Sequence, residues 1–168
     1  HGLTTADLRC TPGRPRNRVA HDMQTRRGNS VPEPRFHNCS GKHAGWLAAC
    51  TIAGWETTTY LEPNHPLQQL TVTIVAEMTG LDPEPVGVDG CGSPTLRGSV
   101  RGLALAFSRL DTDPELRPMA HAMKRFPALV ADNVRPDGRA GLWWGGPQKV
   151  GAEGLYAMTR SGITIVTK

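Results

Sequence analysis

Residues 37–50 read HNCSGKHAGWLAAC and gather two histidines, two cysteines, a serine and one of the chain's four lysines into fourteen positions. If Ser40 caps a helix here, Cys39 lies beside free backbone N–H groups and the positive end of the helix dipole, and Lys42 adds a nearby charge. Both effects lower a thiol pKa and favour the thiolate, which is a nucleophile and a soft metal ligand. A second thiol, Cys91, sits in VGVDGCGSPT, residues 86–95, two positions after Asp89. Glycines there let the backbone approach closely without forcing the side chain into a core.

Three chemistries are open to these residues. Cys39 and Cys91 can be small buried hydrophobes, with Ser40 only a cap. Cys39 can be a nucleophile that uses His43 or Lys42 as its base. Cys39 and Cys91 can be soft ligands to zinc, with His43 or Lys42 completing the shell. Spacing does not choose among them, because the chain holds no C-x-x-C and no H-x-x-x-H. It also holds no Ser-x-x-Lys, in which a lysine can take the serine proton; the nearest arrangement is Cys39-Ser40-Gly41-Lys42. Lys149 opens KVGAEGLY, a glycine-bracketed segment leading into strand patterns, and could serve there as a base or an electrostatic clamp.

The elements that must position these groups are predicted from period and punctuation. Residues 1–36 are rich in Pro and Arg and read as a basic, loop-rich arm, apart from a short helical turn over 5–9. Residues 43–55 give a short apolar helix ended by Gly54. Residues 66–79 give another, with Asn64 or His65 as cap, Pro66 in first place, Leu67, Leu70, Ile74 and Met78 on one face and Gly80 as terminator. Residues 86–95 read as a loop. A helix over 98–110 presents Val100, Leu103, Phe107 and Leu110, and one over 114–130 turns Met119, Met123 and Phe126 inward. After a loop at 132–147, the last residues read as two strands joined at Thr159 to Gly162. Helices followed by an antiparallel hairpin make an α+β protein.

With 168 residues, one domain with a real core is expected. Aromatics are only 5% of the chain, so that core is built mainly from aliphatic side chains. No stretch approaches the roughly 20 apolar residues of a membrane span, and no secretory signal is present, so the reading is cytoplasmic with free thiols. The net charge of +4 sits mostly in the first 35 residues. The arginines there lack aromatic interleaving, and a solvated surface is favoured over nucleic-acid binding. The chain starts at His1 and stops within a strand pattern at Lys168, from which a segment cut at both ends is expected.

HNCSGKHAGWLAAC, LEPNHPLQQ, VDGCGSPT and KVGAEGLYA, in this order and at these separations, resemble the L-asparaginase II family, the class 3 or rhizobial-type asparaginases; GLTTADLRC and FPALVADNVRPD are weaker matches. The resemblance implies hydrolysis of L-asparagine to L-aspartate and ammonia, a fold similar to serine β-lactamases and penicillin-binding proteins, and a homodimer. It implies zinc held by Cys39, Lys42 and Cys91, with His43, Asp89 and Ser40 orienting ligands or substrate. It makes Lys149 the partner of a catalytic serine. That serine and the Ser-x-x-Lys pair would precede His1, so residues 37–168 read as a partial domain, incomplete at both ends, and the chain by itself as poorly stable and inactive. GLWWGG, with Trp143 and Trp144, takes no role from either route.

Overall fold

The computed structural model describes residues 2–131 and 136–168. The chain divides into two compact units: residues up to Thr73 together with Glu84–Arg97, and Ile74–Pro83 together with Gly98 onward.

In the first unit, Thr4 and Asp7 close a reciprocal cap on a single 3-10 turn, Thr5–Asp7, within the stretch predicted to turn. Helix α1, Arg18–Arg26, falls where the sequence reads as loop. It buries no residue, and its apolar pair Val19 and Met23 is exposed, so no hydrophobic pattern announces it. Its identifiable local support is Asn17, whose side-chain carbonyl accepts the Ala20 N–H at 3.1 Å. The arm is also pinned. Gly13 and Glu33 exchange backbone N–H bonds at 3.0 Å, and a Cβ on Gly13 would lie 2.9 Å from His37 Cα, which explains the glycine.

Helix α2, Ser40–Ala53, starts three residues earlier than predicted. His43, Leu47 and Cys50 form its buried face, at steps of four and three. Gly54, left-handed at φ +70°, ends it as expected. Helix α3, Pro66–Thr79, is opened by His65, whose Nδ1 accepts the Leu67 N–H at 3.1 Å, and is followed by Gly80 at φ +67°. The predicted inward stripe is only partly right. Leu67 is buried, but Leu70 and Ile74 are exposed, because the covered face runs through Leu67 and Gln68 to Thr71, Val72, Val75 and Ala76.

Strands β1, Pro85–Val88, and β2, Pro94–Leu96, pair antiparallel, so the predicted loop is a small hairpin. Its turn is tied by Asp89 N–H to Ser93 O and Gly92 N–H to Asp89 O, both at 2.8 Å, with Gly92 at φ +87°. The unit's core is Leu47, Cys50, Tyr60 and Leu67, with Leu3, Leu8, Trp46, Trp55 and Leu61 packed around it.

In the second unit, helix α4, Val100–Thr112, is capped by Ser99 Oγ on the Gly102 N–H at 2.9 Å. The predicted helix over 114–130 is broken into α5, Arg117–Arg125, and α6, Pro127–Val130. Proline disfavours helical geometry in the residue before it, and Phe126 accordingly sits at φ −124°, ψ 54°. Met119 and Phe126 end up exposed rather than inward, while Ala120 is buried. Helix α7, Pro136–Trp144, replaces most of the predicted loop at 132–147; residues 132–135 lie outside the described residues.

The terminal sheet has three antiparallel strands in sequence order, β3 Gln148–Val150, β4 Tyr156–Arg160 and β5 Ile163–Thr167. The predicted hairpin is β4–β5, and β3 adds a strand that sequence did not resolve. Arg160 pairs with Ile163 across Ser161 and Gly162, both at positive φ (52° and 79°), the two-residue turn whose twist matches antiparallel strands. The Gly162 N–H donates to Asp111 Oδ2 at 2.7 Å, fastening the turn to the end of α4, which packs across β4 and β5. This mixed helix and antiparallel-sheet architecture is compatible with the α+β class. Among the described residues, no helix is long and apolar enough to cross a membrane.

Candidate metal and amide site

The start of α2 and the β1–β2 turn bring their polar side chains together. Cys39 is the N-cap of α2, displacing Ser40 from that role, and no side-chain hydrogen bond caps the helix. Ser40, half-buried, is the first helical residue. The Cys39 N–H instead donates to His37 Nδ1 at 3.0 Å, and Asn38 Nδ2 donates to Cys39 Sγ at 3.4 Å. One turn on, Lys42 reaches the hairpin: its Nζ donates to Cys91 Sγ at 3.3 Å and to Ser93 Oγ at 3.0 Å, and lies 4.6 Å from the Trp46 ring centroid. Cys91 Sγ donates to Asp89 Oδ2 at 3.1 Å and lies 3.2 Å from Ser93 Oγ. The donor atoms of Cys39, Asp89 and Cys91 all fall within 4.8 Å of one another.

That set is suited to a divalent cation. The two thiols are donors that zinc accepts and that favour it over calcium or magnesium; the Lys42 nitrogen, once neutral, can add a third, and the Asp89 carboxylate lies beside them. The surroundings are polarised in the same sense. The hydrogen bond from Cys91, the largest influence, and the neighbouring Lys42 charge hold the Asp89 carboxyl below its usual range. The predicted thiolate bias at Cys39 does not hold. Burial, then repulsion from Cys91, pushes the Cys39 thiol up, and the opposing Lys42 charge does not reverse this.

His43 is fully buried beneath this surface. Its Nδ1 is 2.7 Å from Tyr60 Oη, and that hydroxyl accepts the Arg9 N–H at 3.0 Å. Which of the two atoms donates depends on the His43 tautomer; Nε2 is buried and, among the described residues, has no partner. Burial, with Lys42 repulsion second, lowers the His43 pKa to about 4, so the ring is neutral at pH 7. Trp46 joins the two layers, its ring edge-on to His43 at 5.4 Å and beneath the Lys42 amine.

Cys39, Lys42, His43, Asp89 and Cys91 thus belong to one place in the first unit. Lys149 belongs to the second unit, exposed on β3 opposite Ala157, where its Nζ donates to the Val150 carbonyl. Sequence reasoning missed Ser93, Tyr60, His37 and Asn38. Ser93 had a signal, two positions after Cys91 in a tight turn, whereas Tyr60 lies outside every chemical motif and becomes relevant only through packing.

An α+β scaffold carrying a thiol, amine and carboxylate cluster at a helix start is one setting for hydrolytic chemistry. The family model for L-asparaginase II matches residues 1–168, so the chain belongs to the L-asparaginase II family and is, at family level, an asparaginase-type hydrolase. A comparison with curated proteins finds no match.

Proposed function

We propose that the protein serves the hydrolysis of L-asparagine to L-aspartate and ammonia, with zinc held by Cys39, Lys42 and Cys91. The observation that carries this reading is the convergence of Lys42 Nζ, Cys91 Sγ, Asp89 Oδ2 and Cys39 Sγ in a chain of this family. Bound zinc would supply Lewis-acid polarisation and a fixed positive charge near the amide. Cys39 and Cys91 would hold it as thiolates and Lys42 as a neutral amine, the three protons passing to solvent, and Asp89 Oδ2, which accepts from the Cys91 thiol in this structure, would then be open to an N–H of the substrate. His43 stays neutral and holds its place through Tyr60, orienting the layer below. Lys149 acts as partner of a serine nucleophile, and that serine is not supplied by any Ser-x-x-Lys in these 168 residues. The family relationship also supports a serine β-lactamase-like fold and a homodimer.

The test is ammonia release from L-asparagine by the natural gene product, alongside its zinc content by mass spectrometry. Release that is lost in Cys91→Ala together with the metal supports the reading. A folded natural product that releases no ammonia, or holds no stoichiometric metal, overturns it. The 168-residue chain by itself is expected to be inactive. Activity there that Cys39→Ser abolishes without loss of metal would instead make Cys39 the nucleophile.

A further inference from the structure

The geometry points to Ser93 as the residue that positions the proposed metal ligands, its single hydroxyl serving the Lys42 amine and the Cys91 sulfur at once. The inference rests on the metal-site reading above.

Ser93 is 1% exposed, so its hydroxyl has no ready exchange with bulk water. Its Oγ stands 3.0 Å from Lys42 Nζ and 3.2 Å from Cys91 Sγ. A serine hydroxyl carries one hydrogen and two acceptor sites, whereas a lysine nitrogen offers only N–H donors, both as an ammonium and when its lone pair is given to a metal. Lys42 must therefore donate to Oγ, and the one Ser93 hydrogen is left for Cys91 Sγ. This polarity suits a metal-ligating state. A thiolate at Cys91 accepts a stronger, charge-assisted bond from Ser93, and a Lys42 amine anchored through one N–H keeps its lone pair turned in a single direction.

The anchoring matters more for lysine than for cysteine. The four-carbon stem of Lys42 is flexible and its charged head can find water, so ordering it costs more entropy than ordering a thiol. Trp46 restrains the head through its ring face, which has no directional acceptor, and Ser93 Oγ supplies that direction. The turn in turn fixes Ser93. Its carbonyl accepts the Asp89 N–H at 2.8 Å, and Gly92 at φ +87° lets Cys91 and Ser93 lie on the same side.

Zinc affinity of the full chain, measured by competition with a chromophoric chelator, tests this, with Co(II) absorption reporting the donor set. Ser93→Ala is expected to lower zinc affinity about 10–100-fold. It should also shift the Co(II) d–d bands as the amine leaves, while the sulfur charge-transfer intensity of two thiolates persists. Ser93→Thr, which keeps the hydroxyl, should restore both. If Ser93→Ala does not fold by near-ultraviolet circular dichroism, Ser93→Gly makes the same deletion. A folded Ala or Gly variant with wild-type affinity and an unchanged Co(II) spectrum overturns the inference, as does a folded Thr variant that loses affinity equally. A wild-type chain that binds neither metal overturns the metal-site reading itself, a separate outcome.

Discussion

Two lysines in this protein are set in different surroundings. Lys42 in the first unit has its amine against Cys91 Sγ, Ser93 Oγ and the Trp46 ring, at the start of a helix whose next residue is fully buried. Lys149 in the second unit is exposed on a three-residue strand and donates to the carbonyl of its own neighbour. The chemistry open to a lysine follows from what surrounds its head. In the first unit the surroundings are complete within the unit and polarise the amine toward sulfur and oxygen. In the second, the amine meets the backbone carbonyl of Val150.

The largest effect that separates the two regions is metal retention. Cys91→Ala removes the sulfur that touches Lys42, Asp89 and Ser93, and zinc content should fall from about one per chain to near zero by elemental mass spectrometry. Retention of the metal would break the contrast between the units.

Next comes the buried support of the first unit. Tyr60→Phe deletes the hydroxyl shared by the buried His43 ring and the Arg9 N–H and removes that partner from both. A loss of about 1–3 kcal/mol in denaturant unfolding is expected.

The same layer predicts a pH dependence. His43 titrates near 4 when folded and near 6.5 when unfolded, because burial and then Lys42 disfavour its charged form. The unfolded chain therefore binds the proton first. His43 contributes stability above about pH 6.5, and that contribution declines as the pH falls toward 4 and is lost below it. Unfolding midpoints of the metal-free protein should drop across that window, and His43→Gln should flatten the slope.

In the second unit the effects are smaller. Ser161 holds φ +52° at the first turn position, where asparagine is better tolerated, so Ser161→Asn should raise stability by about 0.5 kcal/mol in a thermal melt. Lys149→Met should leave zinc content unchanged. A loss of metal in that variant would make Lys149 a support of the metal site as well as the proposed partner of the serine.

The elements were legible where punctuation and burial agreed. Pro66, Gly54 and Gly80 marked ends of α2 and α3 because proline fits a first helical turn and glycine fits the left-handed residue after a helix. Ser161-Gly162 marked the β4–β5 turn for a similar reason. Helix α1 was not legible, since its nine residues hold only Val19, Ala20 and Met23 as apolar residues and none of the nine is buried. The break at Pro127 was available in the sequence and was overridden by the apolar spacing of Met119, Met123 and Phe126, which the folded chain does not use as a single face.

For the site, the sequence by itself determined the cast: the Cys-Ser-Gly-Lys and Asp-Gly-Cys-Gly-Ser stretches, and with them the family. Only the tertiary structure decided the roles, because roles depend on distances that spacing along a chain does not encode. Forty-nine positions separate Lys42 from Cys91, yet their polar atoms meet at 3.3 Å, and it is the folding of the β1–β2 turn onto α2 that brings Ser93 between them. The raised thiol of Cys39 makes the same point. A helix start and a nearby lysine argue for thiolate locally, and burial beside a second sulfur outweighs both.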